Sequence, residues 1–326
     1  MIRLERKLRI TSLLCVVGLG LVSVNAEAQY GGGGTGGGGT AAAGSILNRN
    51  YHLGFDRPEA WALKHFTSAS LLSGLPAPDP PEGRRVGSIS LGLELGWLPT
   101  LDAGQRQVGF NGRAPQDINK TPVFFRPVLR VGLPAGFTGV IAAPPPFHML
   151  GVTTHLLAFG LERPLVGRER WTLSWRGSGQ VGSTKGAFTC PNSVLGFAPG
   201  SAQNPTRCVG ESSDVASLRY AGMEFQLAYL IPSHPKVVPH AAVGGNFIDG
   251  VFQTHAPVVA GLDETRLWTR GGTFSTSGGL TYMVTKRAAF TLDVFYSPLA
   301  VKRSPTAPTV NDGLFNVRAL MSYTFR

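Results

Sequence analysis

Beyond its N-terminus this chain lacks any run apolar enough to make a helical membrane span, because hydrophobic residues alternate with glycine and polar residues. That excludes a bundle of transmembrane helices. Charged residues are few, 15% of the 326 positions, and Met occurs 5 times against 43 glycines. This balance suits strands and tight turns better than helices. No compact Lys/Arg run is interleaved with aromatics, so nucleic acid is not an expected partner despite a formal charge of +11. No His or further Cys stands at metal-ligand spacing around Cys190 and Cys208, so neither a metal site nor a cofactor is expected. The glycine run at 31–39 contains GxGxxG by chance: no strand precedes it and no helix opens after it, so nucleotide binding is not implied.

What is present begins with an export signal. Arg3, Arg6, Lys7 and Arg9 form a basic stretch, residues 10–24 an apolar core, and Ala26-Glu27-Ala28 a small-x-small cleavage site. The mature chain is expected to start at Gln29, with its charge lowered to +9 by loss of the signal residues. Cys15 comes after Leu13-Leu14 rather than a small residue, so no lipoprotein anchor is expected there. A basic exported protein has anionic lipopolysaccharide or anionic solutes as its natural partners. Cys190 and Cys208 share one polar segment, and in an oxidising compartment such a pair is expected to form a disulfide across a loop.

Residues 31–45 are low-complexity Gly, Thr and Ala and read as a flexible tether within a segment 29–55. Asp56-Arg57-Pro58-Glu59 reads as a helix start, with Asp56 as N-cap and Glu59 as a capping-box partner. The helix is expected to run through Trp61 and Leu63 to about Phe66. It is too short to stand alone, so residues 56–85 are a candidate plug or extra strand.

From Val86 a two-residue period takes over. Ile89, Leu91, Leu93, Leu95 and Trp97 alternate with Ser88, Ser90, Gly92, Glu94 and Gly96, and the pattern recurs to the last strand, where Phe315, Val317, Ala319, Met321, Tyr323 and Phe325 share a face. Short links at 134–136, 164–169, 231–235 and 285–288 alternate with longer polar ones at 99–121, 186–214, 250–269 and 302–313 and a shorter one near 144–153. A soluble sandwich has no reason to keep that alternation, whereas a membrane barrel with short inner turns and long outer loops does. The expected fold is therefore all-β: an antiparallel up-and-down transmembrane β-barrel of about 10 strands, within roughly 10–12, over residues 86–326.

Glu94, Glu162, Glu224, Asp293, Arg126, Arg130, Arg176 and Arg318 fall on the polar faces of their strands, acids and bases in equal number. Facing lipid, each Arg would cost a few kcal/mol, so these side chains belong in the lumen. There they either pair and seal the barrel or line a path for a solute; about ten strands permits both. Trp97, Trp171, Tyr229, Tyr282, Tyr296 and Tyr323 lie on the apolar face toward strand ends, as interface anchors do. Catalysis needs a nucleophile, a base and an orienting group together. His65, Thr67, Ser68 and Ser70 cluster before the barrel strands, and His155, Asp249, His255 and Asp263 reach the rim without a diagnostic spacing. No catalytic residues are assigned and no enzyme is expected.

The signal, the alternating strands and the terminal strand Phe315–Phe325 together resemble bacterial outer-membrane β-barrel proteins of the porin-like class. That resemblance implies an outer-membrane location, lipid and lipopolysaccharide as surroundings, and recognition of Tyr323 and Phe325 by the barrel-insertion machinery. The chain departs from the class in placing Arg326 after Phe325. The role implied is a small channel for passive passage of small solutes. The alternatives are a charge-sealed barrel with working outer loops and, third, an outer-membrane enzyme.

Overall fold

A computed structural model describes residues 46–325 apart from 80–82, 110–111, 121, 147, 150, 169 and 305, all within one unit, Gly36–Arg326. The signal at 1–28, the low-complexity run at 31–45 and Arg326 lie outside the described residues.

The alternating residues form a closed wall of ten antiparallel strands. In chain order these are β1 (Ile89–Trp97), β2 (Val123–Gly132), β3 (Thr138–Ala142), β4 (Val152–Gly167), β5 (Trp171–Gly186), β6 (Asp214–Tyr229), β7 (Val237–Gln253), β8 (Arg266–Met283), β9 (Ala288–Ser297) and β10 (Leu314–Thr324). Each pairs with its chain neighbours, and β10 closes on β1 through the register Val317↔Trp97 to Thr324↔Ser90. Pairing of β10 back onto β1 leaves the sheet with no end strand, as a barrel in hydrocarbon requires.

The wall is inside out. Leu91, Leu95, Trp97, Phe159, Phe225, Leu292 and Phe315 are each exposed, while Glu94, Glu162, Arg176, Asp293 and Arg318 are buried. An exposed apolar girdle around buried charge is the surface lipid selects. Trp97, Trp171, Tyr282, Tyr296 and Tyr323 also sit exposed on this outer face. Short turns join β2–β3, β4–β5, β6–β7 and β8–β9 at one end, with both the start of β1 and the end of β10 beside them. The long connections, 98–122, 143–151, 187–213, 254–265 and 298–313, gather at the other, the loop end.

Several boundaries differ from the sequence reading. Helix α1 spans Pro58–Ala69, and its N-cap is Arg57 rather than Asp56, with no side-chain cap bond. Pro58 forces Arg57 into an extended conformation, ψ 152°, so the helix opens one residue later, and it continues past Phe66 because its sides are covered. Glu59 faces Arg57 at 3.7 Å. Pro164, expected in a turn, lies inside β4 where the pairing with β5 slips between Leu173 and Ser174; a bulge tolerates a residue with no N–H. The link expected at 250–269 shrinks to 254–265 because β7 and β8 pair out to Gln253↔Arg266. Residues 46–52, expected within the flexible segment, are paired: Asn50–His52 lies parallel to Arg266–Trp268 of β8, and Ile46–Leu47 to Leu262–Asp263. The reason is an edge: β9 meets β8 only from Thr276 onward, and the incoming Asn50–His52 covers the outermost part of what is left, Arg266–Trp268.

Candidate functional site

Every charge assigned to the lumen faces inward and is buried, and the register explains which meet. Glu94 stands directly opposite Arg126 on β1 and β2, and the guanidinium forks onto it with Nε–Oε2 at 2.8 Å and Nη2–Oε1 at 3.1 Å. Arg176 bridges Glu162 (2.8 Å) and Glu224 (2.9 Å), the residues across from it on β4 and β6. Arg130 reaches Glu162 over the short β3 at 3.0 Å. Arg318 pairs with its cross-strand partner Asp293 at 3.0 Å, with His240 3.6 Å from the other oxygen.

Four carboxylates cannot satisfy the donors of four arginines, since each guanidinium carries five N–H groups. Several of the rest go to backbone, while Arg130 Nε and Arg318 Nε are buried without a partner. After α1 the chain runs as an extended strap through this charge layer, and its carbonyls point at the arginines. Arg126 donates to Ser70 O (2.6 Å) and Leu71 O (3.0 Å), and Arg176 to Leu72 O and Leu75 O (both 2.9 Å). Arg318 donates to Leu71 O (3.1 Å) and Ser73 O. In return Gly74 N donates to Glu224 (3.2 Å), Asp79 N to Glu162 (3.2 Å), and Leu72 N to the Tyr220 hydroxyl (2.8 Å). Gly74, at φ 85°, is held against the wall: a Cβ there would collide with Ser277 Oγ and come within 2.8 Å of Arg318 and Asp293. Asp79, which strand patterning had no means to select, closes the layer by accepting from Arg84 (3.0 Å), Arg130 (3.3 Å) and Thr138 (2.7 Å).

Above the strap, at the loop end, the lumen changes character. Trp61 is fully buried and donates from Nε1 to Asp312 O (2.8 Å), with Arg303 stacked on its ring at 4.4 Å. Lys64 donates to Ala300 O (2.6 Å), and burial lowers its pKa to about 8 against the pull of Asp56. Burial likewise pushes the neighbouring His65 down to about 4, with Asp312 opposing and Arg303 reinforcing the shift. The opposite side of α1 faces a cavity of about 160 Å³ lined by Leu63, Phe66, Phe124, Leu156, Leu218 and Phe252. Arg126, Gln180 and Ser70 also line it, so the charge layer bounds this apolar space. Of the candidate plug residues, Leu63 and Phe66 thus line the cavity, whereas Trp61 anchors the helix to connection 298–313.

The expected disulfide is formed: Cys190 and Cys208 are bonded, with Cα atoms 5.6 Å apart, in the connection between β5 and β6. Asp214, which no motif singles out, organises this region. Its carboxylate accepts from Phe188 N (3.0 Å), Thr189 N (2.7 Å), Ser212 Oγ (2.8 Å) and His255 N (2.9 Å), tying two loops together. The rim candidates do not converge. His155 points outward on β4, Asp249 pairs with Arg270 (3.0 Å) on the outer surface, Asp263 holds Thr265 (2.6 Å), and His255 faces Glu264 (3.3 Å). His65 and Thr67 are buried in α1, where Thr67 Oγ1 donates back to Leu63 O (2.7 Å). Tyr323 and Phe325 lie exposed with ring centroids 5.2 Å apart.

An apolar outer face, a closed wall and short turns opposite long loops decide the class. The chain folds as a closed β-barrel of porin-like architecture. No protein-family model matches it, and no curated protein does. Solved barrels do share its architecture. The outer membrane protease OmpT from Escherichia coli is 8% identical with a TM-score of 0.37, over 73% of this chain and 94% of that one. The attachment invasion locus protein Ail of Yersinia pestis is 12% identical at 0.31, over 74% and 100%. The toluene transporter TodX of Pseudomonas putida is 12% identical at 0.35, over 86% and 99%. Likeness at this level is one of fold, and these proteins differ among themselves in what they do.

Proposed function

We propose that this barrel is closed to bulk water and holds a small apolar molecule in the loop-end half of its lumen. The observation that carries this is the cavity itself: about 160 Å³, walled by Leu, Phe and aliphatic side chains, and bounded by a layer of paired charge. A dry apolar cavity of about 150 Å³ takes up benzene, so the matching ligand is of one or two aromatic rings or an equally compact hydrocarbon. The sealed alternative is favoured over a wet channel because both members of the pairs Arg126–Glu94, Arg176–Glu162 and Arg318–Asp293 are buried, and the strap 70–79 occupies the space between them. A conduit for ions would leave such charges hydrated.

No catalytic role is included, since the ring of His255 on the rim meets Glu264 and the Thr254 carbonyl rather than a hydroxyl nucleophile. Two measurements test the reading. Wild-type protein in a planar bilayer should show no single-channel steps, and 1-aminonaphthalene should brighten on binding to protein in lipid nanodiscs but not to Ala216→Trp, which places an indole in the cavity. Steady ohmic conductance overturns the sealed lumen, and equal brightening by the filled variant overturns the cavity as binding site.

A further inference from the structure

The wall beside this cavity is incomplete. β3 pairs with β2 only from Val128↔Ala142 to Gly132↔Thr138, and with β4 only from Thr138↔Glu162 to Ala142↔Ala158. Toward the loop end both neighbours continue, β2 to Val123 and β4 to Val152, but β3 does not. It runs instead into Ala143-Pro144-Pro145-Pro146, whose three prolines have no N–H to extend a ladder. Ala143 N donates to Pro127 O at 3.4 Å, and strand pairing resumes only at His148↔Thr153.

The cavity reaches this break, with residues from both of its sides in the lining. Phe124 and Arg126 line it from inside. Val123 and Phe125 line it too, although they belong to the other face: they pair with Trp97 and Leu95, whose side chains are half exposed to lipid. Pro144 and Pro145 complete the border on the far side. The height is fixed by register, since residues 123–127 of β2 stand against Trp97 to Leu93, the loop-end part of the lipid-facing band.

We propose that this break between β2 and β4 is a side portal through which the apolar ligand passes between the cavity and the outer leaflet of the membrane. The proposal rests on the cavity being a binding site. Its basis is the chemistry around the cavity: the charge layer below repels an apolar solute and Glu59, Gln116 and Lys120 stand in the loop-side lining, whereas the gap is bordered by Phe and Pro and opens onto hydrocarbon. A portal governs the rate of exchange and leaves the equilibrium alone.

The test uses mature protein in nanodiscs, where Cys190 and Cys208 are bonded to each other and an introduced thiol is the reactive one. Phe125→Cys is labelled with a bulky maleimide, and the dissociation of 1-aminonaphthalene into excess naphthalene is monitored by stopped flow. Dissociation and association should both slow about tenfold or more, as gating of an exit predicts. The same label on Leu292→Cys, on the lipid face of β9, should leave both rates unchanged. Pro145→Cys serves if Phe125→Cys does not fold. Unchanged exchange with the label in place overturns the portal while leaving the cavity as a binding site. Absence of binding by the unlabelled wild type overturns the cavity reading and the portal with it.

Discussion

The two halves of the lumen handle the same problem, filling a ten-stranded barrel, in opposite ways. Toward the turn end the space is packed with arginine, carboxylate and the backbone of residues 70–79, and the side chains there are almost entirely buried. Toward the loop end, apolar side chains from α1 and six strands surround a void. Buried polar groups are costly unless each finds a partner, so a charged lumen must be filled and fully connected. Apolar walls carry no such demand, so a cavity among them persists at modest cost and is free to bind. Filling one half with charge is what leaves the other available.

The contrast breaks most sharply at Arg176, which serves two carboxylates and two strap carbonyls at once. Arg176→Ala removes the guanidinium that pairs Glu224 and leaves Glu162 to Arg130, and should lower stability by about 3–5 kcal/mol, as removal of one partner from a buried pair does. Thermal unfolding in detergent reads this, and the same variant should conduct in a planar bilayer if the strap loosens. A loss below about 1 kcal/mol would instead mark these pairs as solvated ones.

The next effect lies in the loop-end half. His65 is held neutral, its pKa lowered to about 4 from 6.5 mainly by burial. With α1 undocked the imidazole takes a proton as pH falls below 6.5, whereas the docked one resists until about 4. Docking should therefore weaken across that window and be at full strength above it, by about 3 kcal/mol in total. Hydrogen exchange of the α1 amides at pH 7 and pH 4.5 measures it. His65→Leu should flatten the dependence, and an equal acid sensitivity in that variant would assign it to the carboxylates below.

The smallest effect on the barrel is expected from Cys190→Ser. Chain entropy allows the cross-link about 3 kcal/mol against loop opening, but the loop lies outside the wall and Asp214 holds it independently. Protease cleavage within 187–213 should rise while the barrel's unfolding temperature stays put. A lowered temperature would show that the loop layer and the wall melt together.

Much of the barrel was legible in residue order. Alternation places Glu94, Arg126 and Phe125 on their correct faces because a strand's period is fixed by backbone geometry, and link lengths expose the up-and-down order. The disulfide was legible because Cys190 and Cys208 share one polar segment. The pairing of Arg176 with Glu162 and Glu224 was not, since height depends on stagger between strands that no local pattern records. Nor was the strap: residues 70–79 have neither strand nor helix period, and their path is set by carbonyls meeting guanidinium donors contributed from positions 126, 176 and 318.

Residue chemistry and a period of two were enough to assign the solvent on each face of the wall, separating lipid from lumen. Whether the lumen is filled or open, where the cavity lies and where the wall is broken were settled in three dimensions. Those features depend on strand stagger, on the shortness of β3 beside its neighbours, and on a strap that becomes stable only when distant arginines converge on its backbone.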